Sequence, residues 1–279
     1  MAALNNRLRT EADTRGIDVN RLRRQVAFER MLVRLAADRV DDRDRWVLKG
    51  GLALEFRLNN LCRATKDLDI AITDGLTDGD DVRDELFDAL ADDRDGDHFV
   101  FAVGQPQQLA ADQGGRSGWR FPVDVRLAGK TFANVRLDVV ARASEIAGAV
   151  EPLTFRSALA FAGYPASVTV PAIDVNQHAA EKLHALTGDY GARPNTRVKD
   201  LVDLVLLIEH DLIEPSLVAE RLRSVFLARA THDIPVRLPD WPAAWRAEYG
   251  SLVASLGVEA ATLDTATAIV VGFWTVCRV

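Results

Sequence analysis

The chain has 279 residues, 48% of them hydrophobic and 27% charged, and a formal net charge of −7. That length and apolar share can supply one large domain or two modest ones, each with a real core, while no run reaches the 18 or more unbroken apolar residues of a membrane helix. Cys62 and Cys277 are too few for a disulfide framework or a zinc site, so they read as free thiols, and the five histidines show no metal-ligand spacing. Met1-Ala2-Ala3-Leu4-Asn5-Asn6-Arg7 has no apolar signal-peptide core, so a cytoplasmic protein with no membrane partner is expected.

Taken in chain order, Leu22 to Leu35 reads as an amphipathic helix, with Arg21, Arg23, Arg24, Arg30 and Arg34 clustered on and around it. Arg45-Trp46-Val47-Leu48 is a short strand that stops at Gly50-Gly51. A helix of about two turns follows, ended by Asn59-Asn60. Two glycines at its entrance let backbone approach an anion, with the first-turn amides pointing at it.

Asp67-Leu68-Asp69-Ile70-Ala71-Ile72 alternates with period two. Leu68, Ile70 and Ile72 therefore share one face and Asp67 and Asp69 the other, the two carboxylates roughly 7 Å apart along the strand. That arrangement suits a hard cation with oxygen ligands; the plainer reading is the solvated face of a half-buried sheet.

Between Asp74 and Asp97 lie 11 acidic residues against Arg83 and Arg94, a local charge of −9. Without that tract the chain's 34 basic and 41 acidic residues fall to 32 and 30, a balance of +2. Val82, Leu86 and Leu90 recur at helical spacing within it, so it reads as a solvated helix.

Phe121 to Leu127 and Asn134 to Val140 both alternate and are joined by the turn signal Ala128-Gly129-Lys130-Thr131, which predicts a hairpin. Asp138 lies opposite the Val135/Leu137/Val139 face, and beside the Asp67/Asp69 strand it would complete a three-carboxylate site of the two-metal kind. Asp124 on the partner strand competes for that place.

Val168 to Ile173 reads as a further strand, followed by a helix whose apolar positions Ala180, Leu183 and Leu186 leave Lys182 off that face, free to reach phosphates. In the next helix Leu201, Leu204, Val205 and Ile208 form the buried stripe, with Asp200 and Asp203 three apart on a neighbouring face. An acidic pair favoured by the helix dipole is the bland alternative. Pro215 to Val225, Pro242 to Leu256 and Leu263 to Val276 complete a helical C-terminal part.

Trp46-Val47-Leu48-Lys49-Gly50-Gly51-Leu52-Ala53-Leu54, followed by Arg63-x-Thr65-x-Asp67-x-Asp69-Ile70, resembles the first motif of the AbiEii toxin family, within the DNA polymerase beta-like nucleotidyltransferases. Glu181-Lys182-Leu183-His184-Ala185-Leu186 and Arg197-Val198-Lys199-Asp200-Leu201-Val202-Asp203-Leu204 resemble its later motifs, so the similarity spans about residues 20 to 210. The wider superfamily often has Gly-Ser where this chain has Gly50-Gly51.

The resemblance implies an α/β (α+β) fold: a mixed-sheet polymerase-beta-like lobe over residues 1–165, then a mostly helical C-terminal domain over 166–279, with the active site in the cleft between them. It implies a toxin of a toxin–antitoxin system using an NTP and Mg2+, or Mn2+ in its place. Asp67, Asp69 and Asp138 would hold metal. Lys49, Gly50, Gly51, Arg63, Thr65, Lys66 and Lys182 would bind nucleotide, and Lys182 with Asp200 or Asp203 would be needed for activity. Related MenT-type toxins imply transfer to the 3′ end of tRNA and a cognate antitoxin as partner. Two alternatives are a transferase acting on a protein side chain or small molecule, and a nucleotide-binding regulator without turnover.

Overall fold

The computed structural model describes residues 2–59, 61–93, 95–109, 118–141, 143–146 and 148–277. Asn60 and Arg94, which the sequence reading used, lie outside them. The elements are, in order, α1 (Ala2–Arg15), α2 (Val19–Ala37), β1 (Arg39–Val40), β2 (Arg43–Asp44), β3 (Trp46–Lys49), α3 (Gly50–Arg57), β4 (Asp67–Ile72), α4 (Gly79–Ala91), β5 (Phe99–Val103), β6 (Gln107–Gln108), β7 (Gly118–Leu127), β8 (Lys130–Ala141), α5 (Ala143–Ile146), β9 (Val150–Arg156), β10 (Ser167–Ile173), α6 (Val175–Thr187), α7 (Val198–Glu209), α8 (Pro215–Arg229), α9 (Trp245–Val253) and α10 (Leu263–Cys277).

The chain divides into two units. The first, drawn from residues 1–60, 64–143 and 150–172, is built on a mixed sheet with strand order β5-β7-β8-β4-β3-β10-β9 and β6 paired to β7. Alternation sets its faces. Leu68, Ile70 and Ile72 of β4 and Val135, Leu137 and Val139 of β8 enter a core shared with Leu22, Val26, Met31 and Leu35 of α2 and Val82, Leu86 and Leu90 of α4. Each of those side chains contributes roughly 1.5–3 kcal/mol by leaving water. The opposite face of β4 and β8 carries Asp67, Asp69, Arg136 and Asp138, all still partly or fully exposed.

The β7/β8 hairpin closes through Ala128 and Gly129, with φ of 50° and 73°, a two-residue turn with both central residues left-handed. A bulge at Val125/Arg126 then shifts the pairing by one residue. Without it, every inward residue of β7 beyond that point would face an outward residue of β8.

Two of the α2 arginines, Arg30 and Arg34, are turned inward to acidic partners. Arg34 donates to Asp97 at 2.6 Å, to Asp93 at 3.2 Å and to the Phe99 carbonyl at 2.9 Å, and Arg30 donates to Glu29 at 2.8 Å and Asp95 at 3.1 Å. Both are buried. Asp97, at the end of the acidic tract, is therefore a buried counter-ion for α2, while Asp93 and Asp95 stay exposed, and α4 itself is the helix expected, with Phe87 exposed.

The second unit, drawn from residues 61–63, 144–149 and 173–279, is mostly helical. Asp174 caps α6 by accepting from the Gln177 amide, and α6 packs on α7 and α8 while α7 packs on α9 and α10. In α7 every residue from Leu201 to Leu207 is buried, Asp203 included, where periodicity predicted a single stripe.

Candidate active site

In the first unit the strand registers place four charged residues side by side across the sheet. Lys49 pairs with Asp69, Asp69 with Asp138, and Asp138 with Arg120, so β3, β4, β8 and β7 present the order cation, carboxylate, carboxylate, cation. Adjacent strands lie about 4.8 Å apart, so each charge is a near neighbour of the next. Asp124, the competing candidate, pairs with Asn134 and is bonded to Arg126 at 2.6 Å, away from this row.

Asp69 is the central group. Burial beside Asp138 pushes its carboxyl up to about 6, against the opposing pull of Lys49 and of the Gly51 amide, which donates to it. Gly50, with φ +66°, makes room: a Cβ there would lie 2.0 Å from the Asp69 Oδ2. The glycine pair thus positions the Asp69 carboxylate, Gly50 by leaving it room and Gly51 by donating its amide.

Both outer carboxylates are turned to arginines. Asp138 accepts from Arg120 Nε at 2.8 Å and Nη2 at 2.7 Å, and Asp67 accepts from Arg136 Nε at 2.5 Å. Among the described residues no three His, Cys, Asp or Glu side chains are gathered into a metal-holding group. Two adjacent carboxylates on an open polar face fit a hard divalent cation as oxygen donors, and the arginines are the competing cations.

Loop residues before β4 are fixed by Glu55. This buried carboxylate of α3 accepts from the Thr65 amide at 3.2 Å, Gln25 Nε2 at 2.9 Å and Arg21 Nη2 at 2.6 Å, while the Thr65 hydroxyl donates to the Asp67 carbonyl at 3.1 Å. Lys66 is exposed.

In the second unit Lys182, Asp200, Asp203 and Arg63 are brought together. Lys182 Nζ donates to Asp200 at 3.0 Å and to Asp203 at 2.7 Å, and Arg63 forks onto Asp203 at 3.1 and 2.9 Å. Burial disfavours the Lys182 ammonium, yet the two aspartates hold its pKa above the usual lysine range. Burial opposes the Asp203 charge as well, and Lys182 and Arg63 hold that carboxyl below its ordinary value. Lys182 is therefore not a free ammonium: two of its three N–H donors serve aspartates, because a buried ammonium without counter-ions is too costly.

His184, two residues on, is buried edge-on against Phe226 with ring centroids 4.7 Å apart and is bonded to Thr231 at 3.1 Å, a packing role. Sequence reasoning missed Arg120 and Glu55. A signal existed for the first: Arg120 shares the outward parity of β7 with Asp124, but only the bulge assigns it to Asp138.

Comparison with known proteins follows the same line. The family described as "Nucleotidyl transferase AbiEii toxin, Type IV TA system" matches residues 30–267. Among solved structures, MenT4, a nucleotidyltransferase toxin from Mycobacterium tuberculosis H37Rv, is similar with a TM-score of 0.50 and 21% identity, over 91% of this chain and 92% of that one. The likeness is one of fold. No curated protein matches.

Proposed function

This chain belongs to the AbiEii family of nucleotidyltransferase toxins of toxin–antitoxin systems, and from that membership we propose that it transfers a nucleotide from an NTP to the 3′ end of tRNA. The family brings with it an NTP as substrate and an antitoxin as partner. No helix among the described residues is long and apolar enough to cross a membrane.

The observation that carries the reading is the side-by-side Asp69 and Asp138 with a cation at each end of their row. With Asp67, these are the residues that would hold Mg2+ or Mn2+, which when bound supplies charge neutralisation at the triphosphate and acidifies the attacking hydroxyl. Gly50 and Gly51 keep Asp69 fixed and leave backbone amides of the first turn of α3 for phosphate oxygens. Lys49, at the end of the row, adds positive charge, and Arg63, Thr65 and Lys66 are the further residues we assign to nucleotide binding.

Lys182 acts through its third N–H, as a point charge on the triphosphate or its leaving group. Asp203 is the aspartate on which this depends most, since it is buried and orients both Lys182 and Arg63. Asp200 accepts the second hydrogen bond from Lys182.

For tRNA the support is the basic run Arg193, Arg197 and Lys199, all exposed, and the near-balanced charge outside the acidic tract. The test is incubation of the full chain with each labelled NTP, Mg2+ and total cellular RNA or protein. Label in the tRNA fraction, removable by a 3′ exonuclease, is the expected result. Label confined to protein or to small molecules would move the acceptor to those classes.

A further inference from the structure

Arg120 stands where the metal-holding row meets solvent. It arises on the outward face of β7, directly across from Asp138 on β8, and its two donors satisfy both oxygens of that carboxylate at 2.8 and 2.7 Å. Its side chain is 32% exposed against 13% for Asp138, so the guanidinium is the more solvent-facing member of the pair.

We propose that Arg120 is a two-position phosphate-binding residue, which holds Asp138 while that carboxylate carries no metal and passes to the triphosphate when a divalent cation takes Asp138 over. The inference rests on the reading of Asp69 and Asp138 as the metal-holding pair. Its logic is electrostatic. A doubly charged ion on Asp138 repels the adjacent guanidinium and competes for the same lone pairs. A guanidinium released from Asp138 would still be anchored on β7, the strand paired with β8, within reach of an anion held beside the row. Its planar fork suits two phosphate oxygens as well as it suits one carboxylate. Arg126 on the same strand forms a like pair with Asp124, bonded at 2.6 Å, but outside the row, and so serves as the internal control.

The experiment measures two constants on the full chain: Mn2+ binding without nucleotide, by electron paramagnetic resonance, and binding of a non-reactive α,β-methylene NTP at saturating Mn2+. Arg120→Gln is expected to tighten Mn2+ about tenfold and to weaken the nucleotide analogue about tenfold. Arg120→Lys, which keeps charge without the fork, should leave Mn2+ affinity near that of the parent and still weaken nucleotide binding. Arg126→Gln should change neither. Opposite signs for the two constants in Arg120→Gln support the proposal; equal signs, or no change in either, overturn it. If Mn2+ binding by the parent chain is insensitive to Asp69→Asn, the metal-pair reading itself fails, whatever Arg120 does.

Discussion

A Cβ on Gly50 would lie 2.0 Å from Oδ2 of Asp69, so the strand carboxylate occupies the space that any other residue at position 50 would need. The glycine at the helix entrance and the aspartate on the next strand are one structural unit. Gly50→Ala meets that clash and a φ of +66° as well, the latter alone costing about 1–2 kcal/mol. It is expected to lower stability by at least that much in urea unfolding and to cut transfer more than about tenfold. An alanine variant with parental stability and transfer would show that Asp69 has no need of the space.

Asp69→Asn is expected to abolish transfer while the fold persists, since the carboxylate proposed to hold the metal becomes a neutral amide on a polar strand face. Its pH behaviour is distinctive. The folded carboxyl is raised to about 6 from 3.8, so in metal-free protein its contribution to stability is fully present below the unfolded value and is lost as pH rises through the folded one. Metal-free Asp69→Asn should therefore melt higher than the parent at about pH 8 and no higher below about pH 4, as thermal unfolding at the two pH values will show. Mn2+ binding by the parent should weaken as pH drops below about 6, because the proton competes with the metal for the Asp69 carboxylate.

Lys182→Ala leaves Asp203, 1% exposed, with Arg63 as its remaining strong cation. Breaking a buried pair this way costs about 3–5 kcal/mol, and transfer should fall by orders of magnitude. Lys182→Arg should restore stability better than transfer, because a planar fork does not replace a compact ammonium. If Lys182→Ala unfolds, the arginine variant still separates the two roles. The Asp203 carboxyl is held below its ordinary value, so its contribution is present above the unfolded pKa of about 4 and disappears as pH falls through the folded one. Acid titration of Asp203→Asn against the parent checks that sign.

Arg193 and Lys199 are exposed, whereas Arg30 and Arg34 are buried against acidic partners. Arg193→Glu combined with Lys199→Glu should therefore impair RNA labelling more than nucleotide binding, and should flatten the salt dependence by roughly 0.7–0.9 in log–log slope for each phosphate that is no longer neutralised. Arg34→Gln should instead destabilise the fold. RNA labelling unaffected by the double reversal would shift the RNA surface elsewhere.

The sequence made β4, α3 and the β7/β8 hairpin legible because each depends on local pattern: period-two alternation, a glycine pair, a turn signal. Asp67, Asp69 and Asp138 were assigned to the correct sheet face for the same reason. What it did not reveal is non-local. The register that pairs Arg120 with Asp138 hangs on one bulge residue, and periodicity carries no sign of the partners that bury Lys182 or Arg34. β5 escaped notice because Phe99, Val100, Phe101, Ala102 and Val103 are all apolar, which hides the alternation in burial. In β9, Pro152 obscures the strand pattern.

The helical unit is not a contiguous stretch of chain: it borrows residues 61–63 and 144–149 from the earlier sequence. Arg63 precedes its partner Asp203 by 140 positions, and Glu145 precedes Arg229 by 84. On the ribosome these pairings must wait for late synthesis, since the early segments have nothing to close upon until α7 and α8 emerge. A nascent chain therefore carries the whole carboxylate row before it can assemble the Arg63–Asp203–Lys182 cluster. Fragments truncated before α7 should therefore lack transfer activity.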